Sequence, residues 1–319
     1  MGAYHHGVFP GVRPVVVGAL TAALCAGCAD APAADPCAAA YVRVVMTGVE
    51  RSTDVQALDE GMRTGRMLTA DGQSTDPVFS PDGRQLAFIS GAGYDRSSEH
   101  GNDRQSLYVM DLGDNQVRRL SSDHLDARPA WSSDGSQIAI IRRPEGFDER
   151  QVVVVDVESG AERVLGAGTQ WRQVAWGSGD ELLVTAWRED GIAADLLSLS
   201  ASDGAVEHVG VVPASFLVWN PDRTAAAFGR SQLEESDVAV LDIASGVVTP
   251  VPRSASAMAQ PLLWTVDDVL LLTINNRGDT YGIAGSDGGT QPPQMLSARW
   301  PQPLGTGPVA SNPRCRAAG

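Results

Sequence analysis

A two-part phrase recurs along the chain, and its spacing constrains the fold more than any other feature. The first part is an aromatic residue, a turn and an apolar run, as in FSPDGRQLAFIS from Phe79 and WSSDGSQIAII from Trp131. The second part is an alternating strand, as in LYVMDL from Leu107. Equivalent positions of the second part lie 52, 45, 44, 42 and 43 residues apart, at Asp59, Asp111, Asp156, Ser200, Asp242 and Gly285.

A repeat of about this length, made of short strands and turns, is typical of the blade of a β-propeller. We therefore predict an all-β fold: a six-bladed β-propeller with four antiparallel strands per blade. The first unit supplies only three strands, over 41–49, 54–60 and 65–69, because no aromatic-plus-turn phrase precedes it. We predict that a C-terminal strand at Arg299–Trp300 pairs with this N-terminal blade and closes the ring, which removes an exposed sheet edge.

The amino terminus has the pattern of an export signal. Arg13 precedes an apolar stretch that ends at Leu24; it is shorter than the roughly 20 residues that span a bilayer and suits the core of a signal peptide. The stretch runs into LCAGC, which resembles a bacterial lipobox and implies lipid on Cys28; an ordinary cleaved signal is the alternative. The predicted domains are a signal peptide (1–27), a flexible tether (28–40), the propeller (41–305) and a C-terminal tail (306–319).

These signals predict an exported protein at the outer face of the cytoplasmic membrane or in the periplasm, held there by a lipid anchor. Cys37 and Cys315 then lie at the two edges of the propeller, where the chain ends of a closed ring meet. Because the compartment is oxidising, we predict a disulfide between them that latches the ring; two free thiols are the alternative.

The charge of the chain is strongly acidic, with 24 basic against 39 acidic residues. Nucleic-acid binding requires clustered lysine and arginine to neutralise phosphates. The composition therefore predicts no nucleic-acid partner.

The phrases WSSDGSQIAI and FSPDGRQLAFIS, each followed by a strand such as VVVVDV or LYVMDL, resemble the repeats of TolB-type propellers. The same repeat occurs in the propeller domains of prolyl oligopeptidase relatives. The resemblance implies the propeller fold over nearly the whole mature chain and implies little about function. Only residues 29–40 separate Cys28 from the first strand, so we expect no helical amino-terminal domain like that of TolB.

The predicted loops differ in length between the two faces of the propeller. Connections within the SPDG, SSDG, ESG and ASG segments are tight, whereas the connections between second and third strands are long and charged, above all 91–105. Elaborated loops on a rigid scaffold are where binding usually occurs. The residues predicted to contact a partner lie in or beside these loops: Tyr94, Asp95, Arg96, His100, Asp103, Arg104, Arg142, Arg143, Trp171, Trp187, Arg188 and Arg277.

Enzymatic signals are weak in this sequence. No GxSxG nucleophile motif is present, and we predict no catalytic residue, no metal and no cofactor. Asp123, His124 and Asp126 could in principle share a metal with Asp95 or Asp103, but their spacing is not diagnostic. The sequence thus favours a non-enzymatic cell-envelope platform whose partner is an envelope protein or component. The alternatives are a glycan- or small-molecule-binding propeller and a metal-assisted lyase or hydrolase acting at the channel mouth.

Overall fold

The computed structural model describes residues 39–47, 52–58, 64–92, 104–121, 125–144, 149–177, 179–189, 193–212, 217–229, 238–252, 258–264, 270–276, 280–286, 294–297, 309–313 and 315. All of them lie within one compact unit, Asp35–Gly319. Within these ranges the regular structure is β-strand, and none of them contains a helix of the length and apolarity needed to cross a bilayer.

The strands pair into six four-stranded antiparallel sheets. The first three sheets, in chain order, contain β1 (Tyr41–Met46), β2 (Thr53–Leu58) and β3 (Thr64–Met67); β4 (Ser74–Phe79), β5 (Gln85–Ser90), β6 (Ser106–Asp111) and β7 (Val117–Arg119); and β8 (Leu125–Trp131), β9 (Gln137–Arg143), β10 (Arg150–Asp156) and β11 (Glu162–Thr169).

The last three sheets contain β12 (Trp171–Trp176), β13 (Glu181–Trp187), β14 (Ala194–Ser200) and β15 (Val206–Val212); β16 (Val218–Trp219), β17 (Ala225–Gly229), β18 (Val238–Asp242) and β19 (Val248–Pro250); and β20 (Met258–Trp264), β21 (Leu270–Asn276), β22 (Thr280–Ser286) and β23 (Gln294–Ser297). The chain is thus an all-β propeller with four antiparallel strands per blade, and the predicted likeness to TolB-type propellers is confirmed at the level of the fold.

The first sheet takes its fourth strand from the carboxyl end of the chain. Strand β24 (Val309–Ser311) pairs antiparallel with β1, with Tyr41 opposite Ser311 and Arg43 opposite Val309. The predicted strand at Arg299–Trp300 lies outside the described residues. Pairing with the first sheet extends to residue 311, beyond the predicted end of the propeller at 305.

Apolar second strands fill the space between neighbouring sheets. Leu86, Ile138 and Leu182 have no solvent exposure, which fits strands covered on both faces. One core cluster joins Ile141 and Val152 of the third sheet to residues of the fourth sheet such as Val184. Burial of this apolar area is the main force that holds adjacent sheets together.

Tryptophan side chains at the ends of the first strands tie the third, fourth and sixth sheets to the sheet before each of them. The indole N–H of Trp131 donates to the carbonyl of Val78 (3.2 Å), and that of Trp176 donates to the carbonyl of Ala130 (2.9 Å). Trp264 bonds Val218 in the same way at 3.0 Å. These three tryptophans also belong to core clusters that contain residues of the preceding sheet.

The tight turns are built from aspartate. Asp134 accepts hydrogen bonds from the Ser132 hydroxyl (2.7 Å) and the Ser136 amide (3.0 Å), and Asp82 repeats this arrangement with Ser80 in the preceding sheet. These bonds lower the pKa of Asp134, with the Ser132 hydroxyl as the first cause. The repeated aspartates therefore cap their turns.

Candidate functional site: an arginine-lined cavity

A cavity of about 350 Å³ lies between the third and fourth sheets. Its wall is formed by residues of four strands, β8, β9, β10 and β12, together with Gln105, and it contains four arginines. The lining residues are Gln105, Leu125, Asp126, Ala127, Arg128, Ile141, Arg143, Arg150 and Arg172.

The cavity opens on the loop-rich face. Arg143 ends β9 and Arg150 begins β10, so both lie at the roots of the long 142–150 connection. Leu125 and Trp171 begin the first strands β8 and β12, and Gln105 follows the 91–105 loop. The described ends of two connections that the sequence singles out as elaborated, 91–105 and 142–150, therefore border this cavity.

Two of the arginines occupy irregular positions of inner strands. The register between β8 and β9 shifts between Ala127 and Ala130, and Arg128 in this shift has φ +56°. The register between β12 and β13 shifts at Arg172. Such bulges redirect side chains and are frequent beside active sites, and a positive φ in a non-glycine residue is strained.

A buried ion pair lies beside the cavity and shares Asp126 with its lining. The Arg142 guanidinium donates to Asp126 (Nε to Oδ1, 2.7 Å) and to Glu162 (Nη2 to Oε1, 2.8 Å). The second oxygen of Asp126 also accepts bonds from Arg142 and from the hydroxyl of Ser121. Burial alone would lower the pKa of Arg142, but the bonds to both carboxylates and their charges raise it above its ordinary value.

The remaining arginines are arranged differently. Arg150 donates to the carbonyl oxygen of Trp171 at 3.2 Å. Its pKa is lowered, first by burial and then by the positive charges of Arg172, Arg143 and Arg128. The positive charges of the arginines in this cavity are therefore less fully balanced by carboxylates than the charge of Arg142 in the neighbouring ion pair.

Arg172 is held by an aromatic ring. Its guanidinium carbon lies 4.3 Å from the ring centre of Trp187, a cation–π distance. Its Nε is buried without a hydrogen-bond partner among the described residues. Arg128 contacts Asp76 through its side chain at 3.6 Å.

The structure separates the predicted contact residues into three groups. Arg143 lines the cavity, and Trp187 lies behind Arg172 with 38% of its surface exposed. Arg188 lies nearby and pairs with Asp195 at 3.0 Å, while Arg104 precedes β6. Several predicted residues lie outside the described residues: Cys28, Cys37, Tyr94, Asp95, Arg96, His100, Asp103 and Arg277.

Two of the predicted surface contacts are buried instead. Trp171 is only 2% exposed and belongs to the core cluster between the third and fourth sheets. A side chain added at Gly166 would come within 2.7 Å of its ring, so Trp171 fills a close-packed site. Arg142 is 3% exposed because two carboxylates enclose it. Both placements correct the expectation that these residues face a partner.

The described residues offer few ligands for the metal site of the alternative metal-assisted enzyme. Asp126 is committed to Arg142, while Asp123 and His124 lie outside them together with Asp95 and Asp103. No cluster of three histidine, cysteine or acidic side chains suited to a metal occurs in the part of the chain that the structure describes.

Sequence reasoning missed Arg128, Arg150 and Arg172. Each lies at or near the start of a strand, outside the long loops to which the predicted contact residues were assigned. The signal that would have found them is the placement of basic residues at strand ends on the elaborated face, since antiparallel pairing brings those ends together.

Comparison with curated proteins finds relatives of short segments. The chain is 37% identical over 83 residues to the uncharacterized peptidase YuxL of Bacillus subtilis. This match covers 25% of this chain and 11% of that protein. It is 31% identical over 104 residues to dipeptidyl-peptidase 5 of Trichophyton equinum, covering 31% and 13%. The chain thus matches about an eighth of the length of these relatives. No protein-family model matches it.

Solved structures share the fold. TolB from Acinetobacter baumannii superposes with a TM-score of 0.59 at 16% identity, covering 86% of this chain and 66% of that one. An oligogalacturonate lyase from Vibrio parahaemolyticus gives 0.54 at 13% identity, covering 82% and 72%. An acylaminoacyl peptidase from Pyrococcus horikoshii gives 0.50 at 14% identity, covering 70% and 39%.

These comparisons correct the functional expectation. The sequence favoured a non-enzymatic platform, but the relatives above 30% identity are named as peptidases. The finding favours the enzyme alternative over the non-enzymatic reading.

Proposed function

We propose that this chain is the propeller of a peptidase-type hydrolase and that it binds a peptide substrate in the arginine-lined cavity. The observation that carries the proposal is the cavity itself, at the interface of two sheets on the face with the long loops. Substrate pockets are usually preformed concave sites with a few convergent polar groups, and this cavity has that form.

The comparisons support the class of reaction. The two relatives described above are named as peptidases, and the matched segments are long enough to hold about two repeats. The role assigned to the described residues is to bind and orient the peptide, which lowers the entropic part of the barrier to hydrolysis.

The test is hydrolysis of a defined peptide pool by the full chain, followed by mass spectrometry. Wild-type protein is expected to generate cleaved products. Filling the cavity with Ala127→Trp should suppress cleavage, because the new side chain occupies the space that the substrate needs. Leu125→Trp is the second variant, and the matched control is Asp134→Asn, which changes a turn on the opposite face.

Circular dichroism and the melting temperature establish that each variant is folded. An absence of cleavage by folded wild-type protein would overturn the proposal. An unchanged rate in a folded Ala127→Trp or Leu125→Trp variant would remove the cavity from it.

We further propose that the six sheets form one closed, six-bladed ring. Strand contacts link successive sheets, the fourth and fifth through a shared core cluster, and β24 contacts both β4 of the second sheet and β20 of the sixth. Asn312, just after β24, donates to the carbonyls of Ala39 (3.1 Å) and Gly83 (3.2 Å). Truncation before residue 309 is expected to unfold the whole ring cooperatively. The denaturation curve of the truncated chain should then lack the unfolding transition of the intact chain.

Export, lipidation and the latch belong to the same proposal. Cys315 is 8% exposed and is engaged in a disulfide, and Cys37 is the proposed partner. Lipid on Cys28 would place the propeller at the outer face of the membrane. Intact mass of protein purified from the envelope should show one acyl-modified amino terminus, and reduction of the disulfide should add the mass of two hydrogen atoms.

A further inference from the structure

Charge is unevenly distributed around the cavity. The chain as a whole carries a net charge of −15, yet four arginine side chains converge on this one space. Like charges that are partly removed from water repel one another: the pKa of Arg150 is lowered first by burial and only then by the positive charges of Arg172, Arg143 and Arg128. A bound anion would relieve this repulsion.

The carboxylates on the described wall are already engaged. Both oxygens of Asp126 accept bonds from Arg142. Asp76 accepts from the amide of Arg128 at 3.2 Å and pairs with its guanidinium at 3.6 Å. Among the described lining residues, positive charge therefore exceeds the negative charge available to balance it.

Partners other than carboxylates fix two of the guanidinium groups. One Nη of Arg150 is used by the carbonyl of Trp171, and the face of Arg172 rests on Trp187. A guanidinium has five N–H donors in a fixed fork. These contacts orient the two side chains and leave most of their donors for a ligand, which is the arrangement that favours two-point binding of a carboxylate.

We propose that the cavity is a carboxylate subsite: Arg143, Arg150 and Arg172 bind a carboxylate of the peptide, at its carboxyl terminus or on an acidic side chain. The inference rests on the proposed function for the identity of the ligand as a peptide. The binding chemistry itself rests on the arginines alone.

Equilibrium binding to the full chain tests this subsite, with tryptophan fluorescence as the readout because Trp187 contacts Arg172. The probes are tri-alanine as the free acid, tri-alanine as the carboxamide, and the carboxamide peptide with one central glutamate. The free acid should bind about tenfold more tightly than the amide, and added salt should weaken binding. Binding of the glutamate peptide alone would assign the carboxylate to a side chain.

Arg172→Gln and Arg150→Gln should each reduce the affinity for the acid about tenfold without changing that for the amide. Arg143→Gln is the second test, because no side-chain hydrogen bond of Arg143 is found in the described ranges. The control is Arg84→Gln on the turn face, where the side chain is 68% exposed; it should bind like wild type.

The outcomes separate this inference from the proposed function. Equal affinity for acid and amide, or equal losses in Arg84→Gln and Arg172→Gln, would overturn the subsite. Binding of oligogalacturonate without binding of any peptide would overturn the peptide assignment. Acid-selective binding with no hydrolysis would overturn the proposed function and leave the subsite standing. Hydrolysis without acid preference would overturn the subsite and leave the proposed function standing.

Discussion

The two faces of the propeller are built on opposite principles. On the turn face, the same device returns in sheet after sheet: an aspartate such as Asp134 caps a tight turn, and an indole such as that of Trp176 bonds the preceding sheet. On the loop face, the described parts include the Arg142 ion pair and the arginine-lined cavity, and the second and fourth sheets carry Ser90 and Ala186 at the position of Arg142. The repeated contacts hold the scaffold together, whereas the candidate site lies where the residues differ from the repeat.

The largest test of this contrast is the loop-face ion pair. Asp126→Ala should destabilise the protein by about 3–5 kcal/mol, because it leaves the Arg142 charge buried with only Glu162 as a partner. Chemical denaturation measures the loss. Replacing both partners, as Arg142→Met with Asp126→Leu, should recover much of it; a small effect of the single change would show that the pair is not a desolvated unit.

The turn face offers a matched pair of tryptophans. Trp176→Phe leaves the buried carbonyl of Ala130 without its indole donor, whereas the indole nitrogen of Trp219 is buried with no partner to lose. Trp176→Phe should therefore cost about 1–2 kcal/mol more than Trp219→Phe. Urea denaturation of both variants gives the difference, and equal losses would mean that the indole bonds add nothing to packing.

A gain in stability is expected where one turn departs from the repeat. Arg223 has φ +64°, while Gly83 and Gly135 hold the equivalent left-handed positions at +65° and +74°. Arg223→Gly should stabilise the protein by about 1 kcal/mol, since an L side chain is strained there. The mirror change, Gly135→Ala, should destabilise it; thermal melting of both variants checks the opposite signs.

Acid should weaken the turn face slightly. The pKa of Asp134 is lowered by its bond from Ser132 and then by Ser136, and that of Asp222 by Thr224. A lowered folded-state pKa gives stability that is present above the unfolded value, about 3.9, and lost as the pH falls through the folded value. Melting between pH 6 and pH 3 should decline less steeply for Asp134→Ala than for wild type.

The sequence predicted the repeated parts well because their signals are local. Aromatic residues, SPDG-type turns and apolar runs lie within a few residues of one another, so Trp131 and Asp134 could be assigned from their neighbours alone. The closing strand β24 was placed too early, since its pairing with β1 joins residues from opposite ends of the chain.

The cavity could not be derived in the same way. Arg128, Arg150 and Arg172 come from three different strands, and only packing of the third sheet against the fourth brings them together. Trp171 looked like a loop residue by position, yet the glycine at 166 makes room for its ring in the core. Tertiary packing, rather than local pattern, decides which arginine forms a buried ion pair and which arginine lines the cavity where a ligand binds.

The most direct test of the central claim is the ratio of kcat/KM for the free-acid and carboxamide forms of one peptide. With the full-length chain, the account predicts about a tenfold preference for the acid. It also predicts that Arg172→Gln brings the ratio close to one while Arg84→Gln leaves it unchanged. A wild-type ratio of one would contradict the assignment of this cavity as the substrate site.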